Sequence, residues 1–390
     1  MFIAESKTKL LNNEKSTSDL MRISEDFHYV DLSFKSRLGF AKEIRDIFAA
    51  CPPERTQNLH QIFGRTPFGP WLELTNTAQD PLLVYMFLQF GVDVLNAASE
   101  EMYFKVLGKH MRFGRLEFCL ITGLLFGPTP SLPAISEGSF VRRLWPDHAP
   151  DHLKVKTVVQ TMRGGMQYLS DEDVVRVCLV VMVEVMFMGR ELNQLVSDTV
   201  LRAVDDLMTF DSYPWGSHIW THTYNSLHLA TSRRHTQKNK HISKSTLSGF
   251  AHALKVWILE MFPVCRHHFT KRTDRAIRGT RWDRDIVLNK KSCVRYPALE
   301  RLTLTDAEQQ SHWYLSSVAY LEREEARRPM KRSRQRDLDD DEDDEDDIDD
   351  DDEDDDDYED GDDGTGYQAP PSSSHHGVPP PDPYQHRRRS

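Results

Sequence analysis

The sequence predicts a mainly α protein: one helix-rich globular domain with a small β-hairpin, followed by a disordered acidic C-terminal tail. Three observations lead there. Apolar residues recur at spacings of three and four in several segments before residue 327. Strand-like alternation is confined to a short stretch around Gly108-Lys109. Residues 337–363 hold 23 Asp or Glu and no Lys or Arg, a composition that buries too little apolar surface to offset chain entropy of roughly 1–2 kcal/mol per residue.

Taken in order, residues 1–26 are polar and read as a leader without its own core. The helix-rich domain spans 27–300. Leu38, Ala41, Ile44, Arg45 and Phe48 fall at helical spacing before Pro52-Pro53 stops the chain. Residues 71–95 are strongly apolar and suit a helix opening at Pro81, since proline is favoured in the first turn. Tyr103 to Phe113 divides into two alternating pieces around Gly108-Lys109, which suits a small β-hairpin or an extended turn. From Arg115 to Leu125 a helix carries the stripe Leu116, Leu120 and Leu124, with Ile121 beside it, and Gly127-Pro128 ends it.

Residues 171–188 form the longest predicted helix. Ser170 is its N-cap, acidic residues fill its first turn, and apolar residues lie almost all round it, so it belongs in the centre of the core. Two amphipathic segments follow, 217–230 through Trp220, Tyr224 and Leu227, and 249–262 through Phe250, Leu254, Trp257, Ile258 and Met261. Residues 301–336 add a last helix and a basic cluster. Thr305 and Glu308 make a capping box, and Ala307, Tyr314, Val318 and Leu321 form its stripe. Residues 337–390 are the tail, acidic first and then rich in Pro, Ser and His. No internal repeat occurs.

The net charge of −12 conceals an asymmetry, because residues 1–336 carry 46 basic and 37 acidic residues, a net of +9. Five cysteines, an odd number with no CxxC pair, fit a reducing compartment. The N-terminus has no apolar stretch of signal-peptide type. Between Arg176 and Glu184 lie only seven apolar residues, against the 20 or so that a membrane span needs.

Motifs for chemistry are sparse. Gly64 and Gly69 have Walker-loop spacing, but Pro70-Trp71 stand where Lys and Ser or Thr would hold phosphate and magnesium. His218 and His222 are one helical turn apart, and Cys265, His267 and His268 cluster, yet neither set has partners at zinc-like spacing. Cys119 and Cys178 lie on apolar stripes and read as core. The expectation is therefore no catalytic residue, no metal and no cofactor.

Charge clusters are more informative. Residues 231–301 hold 17 Lys or Arg against 5 Asp or Glu, with Phe269, Trp282 and Tyr296 interleaved. Lys271, Arg272, Arg275 and Arg278 are the candidate nucleic-acid contacts, through phosphate neutralisation and base stacking. Arg327, Arg328, Lys331, Arg332, Arg334 and Arg336 form a dense cluster that reads as a nuclear-import signal. The acidic run suits basic protein partners, and it can also compete with nucleic acid for the basic stretch.

Residues Arg112-Phe113-Gly-Arg-Leu-Glu117-Phe118-Cys-Leu-Ile-Thr122-Gly123-Leu124 resemble the signature of a plant domain of unknown function, in which such a core follows a Gly-Lys turn, as Gly108-Lys109 does here. Tyr213-Pro-Trp-Gly216 and Leu247 to Trp257 also match its pattern, over roughly residues 29–300. The resemblance implies a gene type spread by Mutator-like elements, in which the domain often precedes a Ulp-type, SUMO-specific cysteine peptidase. That peptidase needs a context such as Asp-Cys-Gly, which no cysteine here has. The chain after Arg301 is also too short for a catalytic fold of roughly 200 residues. Within the signature, Leu116 and Leu120 are expected to pack, and Arg112, Arg115 and Glu117 to be exposed contacts. The expected role is a non-catalytic nuclear protein-interaction domain of transposon-related origin, without membrane attachment, with cytoplasm as the alternative location. The competing readings are a DNA-binding accessory protein using 231–301 and a truncated SUMO-peptidase relative.

Overall fold

The periodicities become thirteen α-helices among the described residues of a computed structural model. Those residues are 31–94, 100–106, 108–164, 166–236, 244–262, 268–286 and 301–327. The leader, Cys265, His267, Cys293, Tyr296, the cluster residues from Arg328 to Arg336 and the whole tail lie outside them.

The helices are α1 (Phe40–Ala49), α2 (Pro53–Arg65), α3 (Pro81–Leu88), α4 (Arg115–Thr122), α5 (Phe140–Leu144), α6 (Val155–Arg163) and α7 (Asp171–Val181). After them come α8 (Asp198–Asp205), α9 (Leu207–Ser212), α10 (Trp215–Thr236), α11 (His252–Met261), α12 (Asp306–Gln310) and α13 (His312–Ala326). All belong to one compact unit that ends at Met330. None is long and apolar enough to cross a membrane, among the described residues.

The hairpin is present. Strands β3 (Met102–Val106) and β4 (Lys109–Phe113) pair antiparallel, and Gly108 takes the positive φ (73°) that their tight turn requires. A short β2 (Gly91–Val92) pairs with β3 on its other edge. Here the apolar run 71–95 departs from expectation. Helix α3 starts at Pro81 but stops at Leu88, because Gly91 and Val92 give their backbone to Phe104 and Tyr103. Two further pairs had no local signal: β1 (Asp31–Phe34) runs parallel to β5 (Lys244–Leu247), and β6 (Phe269–Lys271) pairs with β7 (Trp282–Arg284).

Helix α7 is as central as its composition requires. The Ser170 hydroxyl accepts the Asp173 N–H at 3.2 Å, and the helix continues into a π-turn, Met182–Phe187, whose residues are all buried. It packs on α2, α6 and α8. Helix α4, in the motif segment, is a second hub and contacts α10, α11 and α13. Between the two lies an aromatic cluster in which Phe187 stacks on Phe250 at 4.2 Å and Trp71 meets Phe250 edge-on at 4.9 Å. Geometry of this kind adds about 0.5–1.5 kcal/mol per pair beyond area burial.

The last predicted helix is two. Ser311 is extended and its hydroxyl donates to the Glu308 carbonyl at 2.8 Å, which breaks α12 from α13. Ala307 is exposed, while Tyr314, Val318 and Leu321 are half-buried. The capping box is real, with Glu308 N–H donating to the Thr305 hydroxyl at 3.3 Å and Thr305 N–H to the Glu308 carboxylate at 3.0 Å.

Packing is tightest where Gly279 faces Trp71. A Cβ on Gly279 would lie 2.2 Å from the Trp71 ring and 3.0 Å from the Ile121 carbonyl. Gly279→Ala is therefore expected to lower stability by about 1–3 kcal/mol. Gly64→Ala, where the added methyl meets nothing within 4 Å, should leave stability unchanged or raise it by up to about 1 kcal/mol. Urea unfolding of the two variants checks the contrast, and equal effects would contradict it.

Candidate functional site

Three groups of residues compete for a functional role, and each is positioned by the core. The first is the segment Arg112–Leu124. Phe113 and Phe118 are fully buried and both contact Trp220, at 5.5 and 5.2 Å between ring centres. The Thr122 hydroxyl donates to the Phe118 carbonyl at 2.7 Å and accepts the Leu124 N–H at 3.3 Å, while the Thr122 carbonyl accepts the Trp71 indole N–H at 3.2 Å. Gly123 has a positive φ (70°), and a Cβ there would lie 2.8 Å from the Ile277 side chain. Leu124 is buried; Leu120 packs as expected, and Leu116 is half-buried.

Of the polar members expected as exposed contacts, Arg112 is exposed and Arg115 and Glu117 are half-buried, and Arg112 and Glu117 already have partners. Arg112 lies between Glu101 at 3.4 Å and Glu117 at 3.2 Å. Glu117 also accepts the Gly114 N–H at 2.9 Å, which starts α4. The Tyr103 hydroxyl donates to Glu101 at 2.8 Å, and its pKa is pushed up to about 12 by burial and by that carboxylate. The other two resembling segments are likewise built into the core. Trp215 is buried and donates to the Phe210 carbonyl at 2.8 Å, and Phe250 N–H donates to the Thr223 hydroxyl at 2.8 Å.

The second group is the basic stretch. Its four candidate contacts are held by partners. Lys271 pairs with Glu260 at 2.7 Å and lies over the Trp282 ring at 5.2 Å. Arg272 pairs with Asp283 at 2.8 Å. Arg275 donates to the Thr280 carbonyl and to the Thr75 hydroxyl. Arg278, only 3% exposed, donates to Glu308 through Nε at 2.7 Å and through Nη2 at 2.5 Å, and to the Thr303 carbonyl at 2.6 Å. Arg278 is thus corrected from a phosphate contact to a buried ion-pair partner. The stacking expectation fails for Phe269 and Trp282, which are both 2% exposed.

Two of these cations, Lys271 at 2.7 Å and Arg278 at 3.8 Å, face Glu260 on a helix that needs them. Every residue of α11 is buried, including His252, Lys255 and Glu260. Lys255 meets Asp80 at 2.7 Å and the Ala78 carbonyl at 2.5 Å, and Arg284 reaches Asp80 at 2.8 Å. Burial raises and the two cations lower the Asp80 pKa, and the cations win, holding it below the usual carboxylate range. Glu260 accepts the Trp282 indole N–H at 3.0 Å besides its bond to Lys271. His252 shares a hydrogen bond with the Gly279 carbonyl at 3.0 Å.

The third group surrounds the π-turn. Glu184 is fully buried, 2.6 Å from Arg190, and it accepts the Ser197 N–H at 2.8 Å. Desolvation still raises its pKa. Arg190 also bears on His218 and His222, whose pKa values are lowered by burial first and by that guanidinium second; His218 falls to about 4. Both imidazoles are neutral at pH 7 and half-exposed. Together with Arg190 they form a compact polar edge, and no three His, Cys, Asp or Glu converge on a metal-sized site among the described residues. Sequence reading marked the histidine pair but not Glu184, whose only signal was a carboxylate inside an apolar run.

Burial also governs the thiols. Cys119 and Cys178 are fully buried, and desolvation pushes the Cys119 thiol up to about 12 and the Cys178 thiol higher still. Gly64 and Gly69 are spaced for backbone contact, since a Cβ on Gly69 would meet the Gly64 carbonyl at 2.5 Å. Trp71, where a Walker loop needs a hydroxyl residue, is fully buried.

A family model described as a domain of unknown function (DUF1985) matches residues 92–226. The match takes in Arg112–Leu124 and Tyr213–Gly216 and stops short of the Leu247–Trp257 segment. No curated protein and no solved structure matches the chain.

His252 supplies a pH test. Its folded pKa is lowered to about 3, chiefly by burial, from an ordinary value of 6.5. The unfolded chain therefore takes up this proton first on acidification. The contribution is fully present above the unfolded value and is lost as pH falls toward the folded one. Between pH 7 and pH 5, His252→Asn should lose about 2 kcal/mol less stability than the unaltered chain. Urea midpoints at the two pH values measure this, and equal losses would contradict the burial of the ring.

Proposed function

We propose that the chain is a non-catalytic nuclear protein-interaction module of transposon-related plant origin, akin to the non-catalytic part of genes that also encode Ulp-type peptidases. The observation that carries this reading is the burial of Cys119 and Cys178 and the pairing of the candidate phosphate contacts among the described residues. Cys119 and Cys178 are buried thiols held far from the thiolate, and thiolate is the form that cysteine chemistry needs. The candidate phosphate contacts are occupied by Glu260, Asp283, Glu308 and backbone carbonyls. At the end of the body and beyond it the sequence carries a cluster of cations, Arg327 to Arg336, and then 23 carboxylates within 337–363. The first suits an import receptor and the second a basic protein partner, attracted over a screening length of about 8 Å in physiological salt.

The test uses the full chain fused to a fluorescent protein in plant cells. Deleting 327–336 is expected to shift the fusion from nucleus to cytoplasm. Deleting 337–363 is expected to abolish salt-sensitive retention of core histones in a pull-down. Unchanged nuclear accumulation contradicts the import assignment, and unchanged histone retention contradicts the partner assignment. Salt-dependent binding of duplex DNA by the full chain, lost when Lys271 and Arg272 are neutralised, would favour the DNA-binding reading instead.

A further inference from the structure

Residues 301–327 are attached to the body in an unusual way. Across this segment only two side chains are buried, Glu308 and Ser317, and both are polar. Its apolar members Leu302, Trp313, Tyr320 and Leu321 are only partly buried against the core. Compare α11 and the π-turn, where every residue is buried. Apolar burial supplies most of the local stability of a packed helix, so this segment lies at the weak end of the range of local opening energies.

Polar contacts at three residues hold it, the first being the Thr303 carbonyl, which accepts from Arg278 at 2.6 Å. Glu308 accepts two hydrogen bonds from the buried Arg278 and lies 3.5 Å from Arg281. One helix further on, the Ser317 hydroxyl accepts the Phe126 N–H at 2.9 Å and donates to the Trp313 carbonyl at 2.6 Å. The Ser317 hydroxyl also lies beside the Cys119 thiol on α4, the helix on which α13 packs. Cys119 and Phe126 are 0% and 1% exposed with α13 in place.

We propose that residues 301–327 form a strap, latched by the Glu308–Arg278 pair, that opens as a unit ahead of the rest of the fold and uncovers the α4 face bearing Cys119. The strap is a conformational device independent of the nuclear role argued above. Its latch is specific because both members are buried: losing one leaves the other charge without compensation. Its cover is polar at the centre, so the strap can leave without the collapse that removal of a core helix would cause.

The two buried cysteines provide an internal comparison. Cys119 lies under the strap, whereas Cys178 lies on α7, among α2, α6 and α8. The full chain is treated with N-ethylmaleimide under native conditions, and modification at each cysteine is followed by peptide mass spectrometry. Cys119 is expected to react faster than Cys178. In Glu308→Gln, Cys119 should react roughly tenfold faster than in the unaltered chain while Cys178 stays the same. Equal rates at the two thiols in the unaltered chain, or no acceleration at Cys119 in Glu308→Gln, overturn the proposal. If Glu308→Gln accelerates both thiols alike, Ser317→Ala, which leaves the ion pair intact, decides the matter. A selective rise at Cys119 supports the strap, and parallel rates refute it.

Discussion

The structure depends on the burial of α11. A helix enclosed on all sides keeps its place only if its polar side chains find partners inside the protein, because a buried unpaired charge costs several kcal/mol. His252, Lys255 and Glu260 therefore dictate what must surround them. The partners come from far along the chain: Ala78 and Asp80 before α3, Gly279 in a 3-10 turn, and Lys271 and Trp282 on the β6–β7 hairpin. Asp80 adopts a positive φ (47°) just before Pro81, and its carboxylate there is bracketed by Lys255 and Arg284. A left-handed conformation is uncommon outside glycine but tolerated by Asp.

This constraint bears on the described part of the basic stretch. A net charge of +12 over 231–301 invites a polyanion, but a linear count takes no account of carboxylates brought in from elsewhere. Glu308 and Asp80 do not belong to the stretch, and Glu260 and Asp283 face cations rather than solvent. The signature segment acquires a similar explanation. Phe113, Phe118, Thr122 and Gly123 are committed to the packing of α4 and its lead-in strand against Trp220, Trp71 and Ile277. A motif of this kind records packing and does not by itself mark a binding surface.

Much of the fold was legible locally. The Ser170 cap, the Thr305–Glu308 box, the Pro81 start and the Gly108 turn are short-range signals, and each appears where its residues place it. The missed features are long-range. β1 and β5 are separated by some two hundred residues, so neither run of four reveals its partner. The end of α3 at Leu88 is set by pairing of Gly91 and Val92 with β3, which overrides an apolar run otherwise suited to more helix. The candidate site was legible only in part: the spacing of His218 and His222 was visible, but Arg190 and Glu184 join them through the π-turn. Charge pairing across the chain was the least visible of all.

The most direct measurement of the central claim is a double-mutant cycle on Asp80→Asn and Lys255→Met, followed by urea unfolding at pH 7. If α11 is held through its buried charges, each single variant is strongly destabilised and the pair is coupled by at least about 2 kcal/mol, so that the double variant loses far less than the two losses combined. Additive losses, or single variants within about 0.5 kcal/mol of the unaltered chain, would contradict the account.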